Sequence, residues 1–98
     1  MPRPSLDQLE AFAAVADTGS FRAAGALKGV SASAISHAVA KLERELGVRL
    51  LARSTRVVRL TDAGALFWAK LKPALGGMDE AVEALNAMRD SPAGVLRI

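Results

Sequence analysis

The chain has 98 residues, 51% of them hydrophobic, which suits one small domain with a modest core and argues against disorder. It has no cysteine and a single histidine, so disulfide frameworks, thiol catalysis and cysteine-based zinc sites are excluded together. The formal net charge is +3, but residues 1–17 carry −2, residues 18–60 carry eight basic side chains against two acidic ones, and residues 61–98 carry −1. Positive charge packed into the middle of a chain is the footprint of a polyanionic partner; the plainer reading is an ordinary solvated surface. No basic leader precedes an apolar run, and no stretch of about 18 apolar residues exists, so the expectation is a soluble, cytoplasmic protein with no membrane partner.

In "SLDQLEAFAAVADTG", Ser5 and Gln8 have the spacing of a capping box. Leu6, Leu9, Phe12, Ala13 and Ala16 then recur at helical spacing, and Gly19 suits a C-terminal cap. Ser20 can cap a short second helix, "FRAAGALK", which Gly29 ends. In the third helix, residues 32–46, Ile35, Val39, Leu42 and Leu46 fall within about 60° of one another on the helical wheel, and Gly47 is a good stop. Two short helices, a tight turn and a third helix describe a helix-turn-helix with a leading helix.

Opposite that apolar stripe lie Ser33, His37, Ala40 and Arg44, flanked by Ser36 and Lys41. A merely solvated face carries long charged residues throughout. Here the first turn and a half is small and hydrogen-bonding. Such side chains let the end of a helix enter a major groove, where hydroxyls meet base edges and the Ala32 methyl can meet a thymine methyl. Ser31 and Ser33 have a second reading, as competing helix caps. His37 could read a base or simply face solvent. A metal or catalytic role would need converging carboxylates, and its sequence neighbourhood has none.

"VRLLARSTRVVRLT" places two β-prone runs around the polar tip Arg53-Ser54-Thr55-Arg56, which predicts a small hairpin, a wing. Arg53 and Arg56 there, and Ser20 and Arg22 at the start of the second helix, suit phosphate contacts, which carry affinity without sequence information. Thr61 and Asp62 start a fourth helix. Along it Trp68, Leu71, Leu75, Met78, Val82 and Leu85 form a seam of period 3.5, which either seeks a partner helix or covers its own domain. Pro73 and Gly76-Gly77 lie inside it, and proline in a helix interior costs about 3 kcal/mol, so a kink or break is expected near 72–77. The tail "SPAGVLRI" reads as the first strand of something further on, so the chain reads as an N-terminal piece of a longer protein.

Residues 6 to 64 resemble the N-terminal DNA-binding domain of LysR-type transcriptional regulators. The matching elements stand in order: Leu9, Phe12 and Val15; Gly19-Ser20-Phe21 and Ala23-Ala24; Ser31, Ser33, Ile35 and Ser36; Leu42-Glu43, Leu46-Gly47 and Leu50-Leu51; Arg53, Arg56 and Leu60 to Gly64. The resemblance implies a mainly α fold: a winged helix-turn-helix over residues 1–60, a linker and dimerisation helix over 61–90, and the start of an effector-binding domain at 91–98. It implies a bacterial regulator that pairs its linker helices antiparallel, assembles as tetramers at full length, and binds double-stranded promoter DNA. A small co-inducer would bind the effector domain, with no cofactor in this stretch. Carried over by position, the base-reading places fall on Ala32, Ser33, Ser36 and His37, and the backbone-contacting places on Ser20, Ser31, Lys41, Arg53, Thr55 and Arg56. Many members have Gln where this chain has Ala32 and Arg where it has His37. A bidentate contact is worth about 1–3 kcal/mol of discrimination, so the preferred DNA sequence should differ. The competing class is a helical dimerisation or protein-interaction module that reads no DNA. An enzyme has no support, for want of a phosphate loop or convergent acids.

Overall fold

The computed structural model describes residues 3–54 and 57–90. The expectations placed on Thr55, Arg56 and residues 91–98 lie outside the described residues.

Each helix begins where a side chain can satisfy the free backbone N–H groups of its first turn. α1 spans Leu6–Thr18 and opens with the expected capping box: the Gln8 amide donates to Ser5 Oγ at 3.2 Å, and the Ser5 amide donates to Gln8 Oε1 at 2.9 Å. α2, Phe21–Lys28, is capped by Ser20 through the Ala23 amide at 3.1 Å. α3, Ala32–Leu46, is capped by Ser31 through the Ala34 amide at 3.0 Å. Of the two serines that competed for that role, Ser31 takes it, which leaves Ser33 exposed within the first turn. Gly19, Gly29 and Gly47 end the three helices with φ near +70°, a conformation that glycine alone adopts without steric cost.

The three helices enclose Phe12, Val15, Ile35, Val39 and Leu42, with Ala11, Ala14 and Ala24 buried among them. The α2–α3 turn is pinned at Gly25. A Cβ there would stand 2.6 Å from the Val30 carbonyl oxygen and 3.1 Å from the Ala32 nitrogen, so no side chain fits. That contact sets how α3 leaves the turn, and therefore where its outer face points.

The wing follows. β1, Leu51–Arg53, pairs antiparallel with β2, Val58–Leu60, in the register Leu51↔Leu60, Ala52↔Arg59 and Arg53↔Val58. The strands are shorter than the apolar runs that predicted them. Val48 is drawn into the end of α3, where its amide donates to the Glu43 carbonyl. Leu50 and Leu51 are fully buried beneath the hairpin.

α4 runs from Asp62 to Arg89, 28 residues, capped by Thr61. Thr61 Oγ1 accepts from the Gly64 amide at 3.0 Å and donates to the Arg49 carbonyl at 2.6 Å, which ties the helix start to the base of the wing. Phe67 and Trp68 then close over Phe12, with ring centroids 5.5 and 6.2 Å away, and Leu71 is buried in the same core. Of the kink or break expected near 72–77, the break does not occur: α4 is continuous through Pro73. Pro73 withholds one amide from the Ala69 carbonyl, but both residues are exposed, so water can serve the carbonyl at little cost. Gly76 and Gly77 likewise remain helical. The fold is thus mainly α: three helices, a two-stranded wing and a long final helix.

Candidate nucleic-acid interface

α3 buries Ile35, Val39 and Leu42 and turns its other face outward. Ser33, His37, Lys41 and Arg44 are exposed on that face, while Ala32, Ser36 and Ala40 are half-covered. The structure therefore gathers Ala32, Ser33, Ser36 and His37 onto one accessible surface over the first half of α3. Lys41 and Arg44 follow one and two turns later. Arg22 is exposed on the first turn of α2. Ser20 and Ser31 are occupied as caps: each oxygen accepts one amide from its own helix, which leaves the hydroxyl proton and one lone pair for a ligand.

Arg53 does not stand free at the wing. Its guanidinium lies over the Phe21 ring, 4.9 Å from the centroid. It donates to Ser36 Oγ at 3.4 Å and faces Glu43 Oε1 at 3.9 Å. One side chain thus touches the start of α2, the outer face of α3 and a carboxylate beneath them.

That carboxylate carried no role in the sequence reading. Glu43 is 8% exposed, among the most buried polar groups described. Its Oε2 accepts from the Leu50 amide at 2.8 Å and the Leu51 amide at 3.0 Å, with Arg49 Nε 3.7 Å away. It is the hydrogen-bonded joint between α3 and the first wing strand. A signal was present. An acid in the last turn of a helix opposes the helix dipole, which makes a partner for Glu43 favourable, but the signal is weak because Glu45, exposed in the same turn, shares it.

The seam of α4 divides. Leu71 is 8% exposed, and Trp68 and Leu75 pack partly against the core, so these three cover their own domain. Met78, Val82 and Leu85, at 47, 58 and 68% exposed, lie bare within the single chain. Among the described residues no group of three or more His, Asp or Glu side chains could hold a metal ion, and no helix is long and apolar enough to cross a membrane.

A helix-turn-helix whose third helix offers a small polar face, with a wing beside it, defines the winged helix-turn-helix class. The family model for bacterial regulatory helix-turn-helix proteins of the lysR family matches residues 6–65, and the chain belongs to that family. It is 47% identical over 96 residues to a probable hydrogen peroxide-inducible genes activator of Streptomyces viridosporus, covering 98% of this chain and 31% of the relative. It is 42% identical over 93 residues to the transcriptional activator AaeR of Escherichia coli, covering 95% of this chain and 30% of that one. The chain thus spans about a third of the length of the curated relatives it matches, and those relatives are transcriptional regulators rather than enzymes.

Among solved structures, it superposes on a hydrogen peroxide-bound mutant of Corynebacterium glutamicum OxyR with a TM-score of 0.84 and 32% identity, over 92% of this chain and 28% of that one. The BenM DBD in complex with benA site 1 DNA matches with a TM-score of 0.78 and 29% identity, over 89% of this chain and 98% of that one. The CbnR DBD–DNA complex matches with a TM-score of 0.74 and 35% identity, over 85% and 95%.

Proposed function

We propose that this chain is the DNA-binding part of a dimeric LysR-type transcriptional regulator, acting in the bacterial cytoplasm on double-stranded promoter DNA. α3, residues 32–46, enters the major groove. Ala32, Ser33, Ser36 and His37 face base edges, and Ser20, Arg22, Ser31 and Lys41 meet phosphates, with the wing tip 53–56 alongside the backbone. The observation that carries this reading is the accessible, small, polar first half of α3, backed by an apolar stripe and bordered by exposed Arg22, Lys41 and Arg44. Superposition of 89% and 85% of the chain on two DNA-binding domains solved in complex with DNA supports it.

Residues 1–60 form the reading head and 61–90 the linker helix through which two copies pair; residues 91–98 begin an effector domain that takes a small co-inducer, the full-length protein being a tetramer. The bare half of the α4 seam supports the pairing: Met78, Val82 and Leu85 are the seam's large apolar side chains that its own domain leaves uncovered, and Leu66 and Met88 on the same helix are exposed as well. Pairing matters for function because two half-sites one or more turns apart on one face of DNA require two reading heads.

A salt titration of binding to duplex DNA tests the reading. Affinity should fall linearly on a log–log plot, with a slope of about −0.9 per phosphate neutralised. A slope near zero would favour the protein-interaction alternative.

A further inference from the structure

The sequence reading gave Arg53 a phosphate to hold, but its surroundings suit a different task. Its side chain is 31% exposed, against 69% for Arg49, and part of its charge is answered by Glu43. A guanidinium stacked on a ring and facing a carboxylate is held in one orientation and is a poorer phosphate grip than a free one. What that orientation does is place an N–H on Ser36 Oγ.

Resting on the DNA-binding reading above, we propose that Arg53 is a positioning residue for base readout: by occupying one lone pair of Ser36 Oγ and setting a positive charge beside the other, it biases Ser36 to meet DNA as a hydrogen-bond donor. A serine hydroxyl is ordinarily both donor and acceptor, so it accepts most base edges and discriminates poorly. With Arg53 donating to the oxygen, one lone pair is taken and the guanidinium charge stands beside the second, where it disfavours another N–H donor; the hydroxyl proton is the better group to offer. Among the described residues that proton makes no hydrogen bond of its own, and Ser36 is open enough to be reached. A donor at this place suits purine N7, guanine O6 or thymine O4. It opposes the amino edges of cytosine N4 and adenine N6, which would leave two donors facing each other in a desolvated groove. Glu43 and Phe21 keep Arg53 in place, so the joint that fixes the wing also biases the polarity of one base-reading group.

The test uses the 98-residue chain and a randomised duplex library. Wild-type protein selects a preferred duplex, and affinities are then measured on it, on its single-base-pair variants and on a scrambled duplex. Ser36→Ala identifies the base pair that Ser36 reads, as the one where preference falls by about 3- to 10-fold. Arg53→Lys keeps the charge but loses the fork that spans Ser36 and Glu43. It should flatten preference at that same base pair, any loss of overall affinity being shared equally by the scrambled duplex and the other single-base-pair variants, and the double variant should discriminate there no worse than either single one. The selected base should present an acceptor, and replacing a selected purine by its 7-deaza form should reproduce the Ser36→Ala loss when N7 is that acceptor. Thermal unfolding of both variants checks that the fold is retained.

Preserved preference in Arg53→Lys, additive losses in the double variant, or a cytosine amino edge selected opposite Ser36 would each overturn the inference while leaving DNA binding intact. If wild type enriches no sequence and binds no duplex, the parent reading fails and this one with it.

Discussion

Replacing Glu43 by Ala withdraws the acceptor from two amides at once. The Leu50 and Leu51 N–H groups belong to residues only 1% exposed, and their bonds to Oε2 are 2.8 and 3.0 Å long. Hydrogen bonds to a charged acceptor contribute about 1.5–3 kcal/mol each, and a buried amide left without a partner costs about 1–3 kcal/mol. Two such amides put the loss at about 2–5 kcal/mol, allowing for partial rescue by water. The flanking arginines add little. Their nitrogens are 3.7 and 3.9 Å away, Arg49 is mostly exposed, and pairs of that kind are worth about 0–1 kcal/mol. Glu43→Gln keeps an oxygen for the same amides and forfeits only the charge, so it should lose roughly 1 kcal/mol. A domain of this size has about 5–15 kcal/mol in hand, so the alanine variant should be visibly weakened but folded. Urea unfolding followed by far-ultraviolet circular dichroism measures both, and the wing amides of Leu50 and Leu51 should lose hydrogen-exchange protection first. If Glu43→Ala costs under about 1 kcal/mol, or no more than Glu43→Gln, then Glu43 is not the joint between α3 and the wing.

Other expectations follow from separate parts of the molecule. Gly64→Ala should destabilise by about 1–3 kcal/mol in the same unfolding assay, because a Cβ there would collide with the Leu50 carbonyl backbone at the start of β1. Val82→Asp should produce monomers in sedimentation with the melting temperature of the single domain unchanged, since Val82 is 58% exposed and lies away from the core. Leu71→Asp should instead unfold the domain, because Leu71 is in that core. Lys41→Ala and Arg22→Ala should weaken binding to selected and scrambled DNA alike and reduce the salt slope by about 0.9 each; an unchanged slope would remove them from the phosphate contacts.

Local chemistry was readable in the chain, and chemistry across distance was not. The helix starts at Ser5, Ser20 and Thr61 were legible because a cap needs only a hydroxyl and an amide three residues apart, whereas at α3 two serines met that condition and only the structure separates Ser31 from Ser33. The α3 stripe was legible because its period is a property of one helix. Glu43 escaped because its partners lie seven and eight residues on, around a turn whose path no spacing rule predicts. Gly64 and Gly25 escaped for the same reason: the need for glycine comes from a backbone packed against them, not from their own φ. The α4 seam was legible as a seam, but its period cannot say where the domain's own core ends and bare surface begins. Trp68, Leu71 and Leu75 fall on one side of that line and Met78, Val82 and Leu85 on the other. At Pro73 the propensity cost was real, but exposure of the orphaned carbonyl made it bearable.

The most direct measurement is the backbone amide spectrum of the isotope-labelled chain, titrated with the duplex it selects and, at the same salt, with a scrambled duplex. Ser33, Ser36 and His37 should shift differently on the two duplexes, while Lys41 and Arg22 should shift similarly on both. Shifts confined to α1 or to the second half of α4, with the first half of α3 silent, would contradict DNA reading by α3.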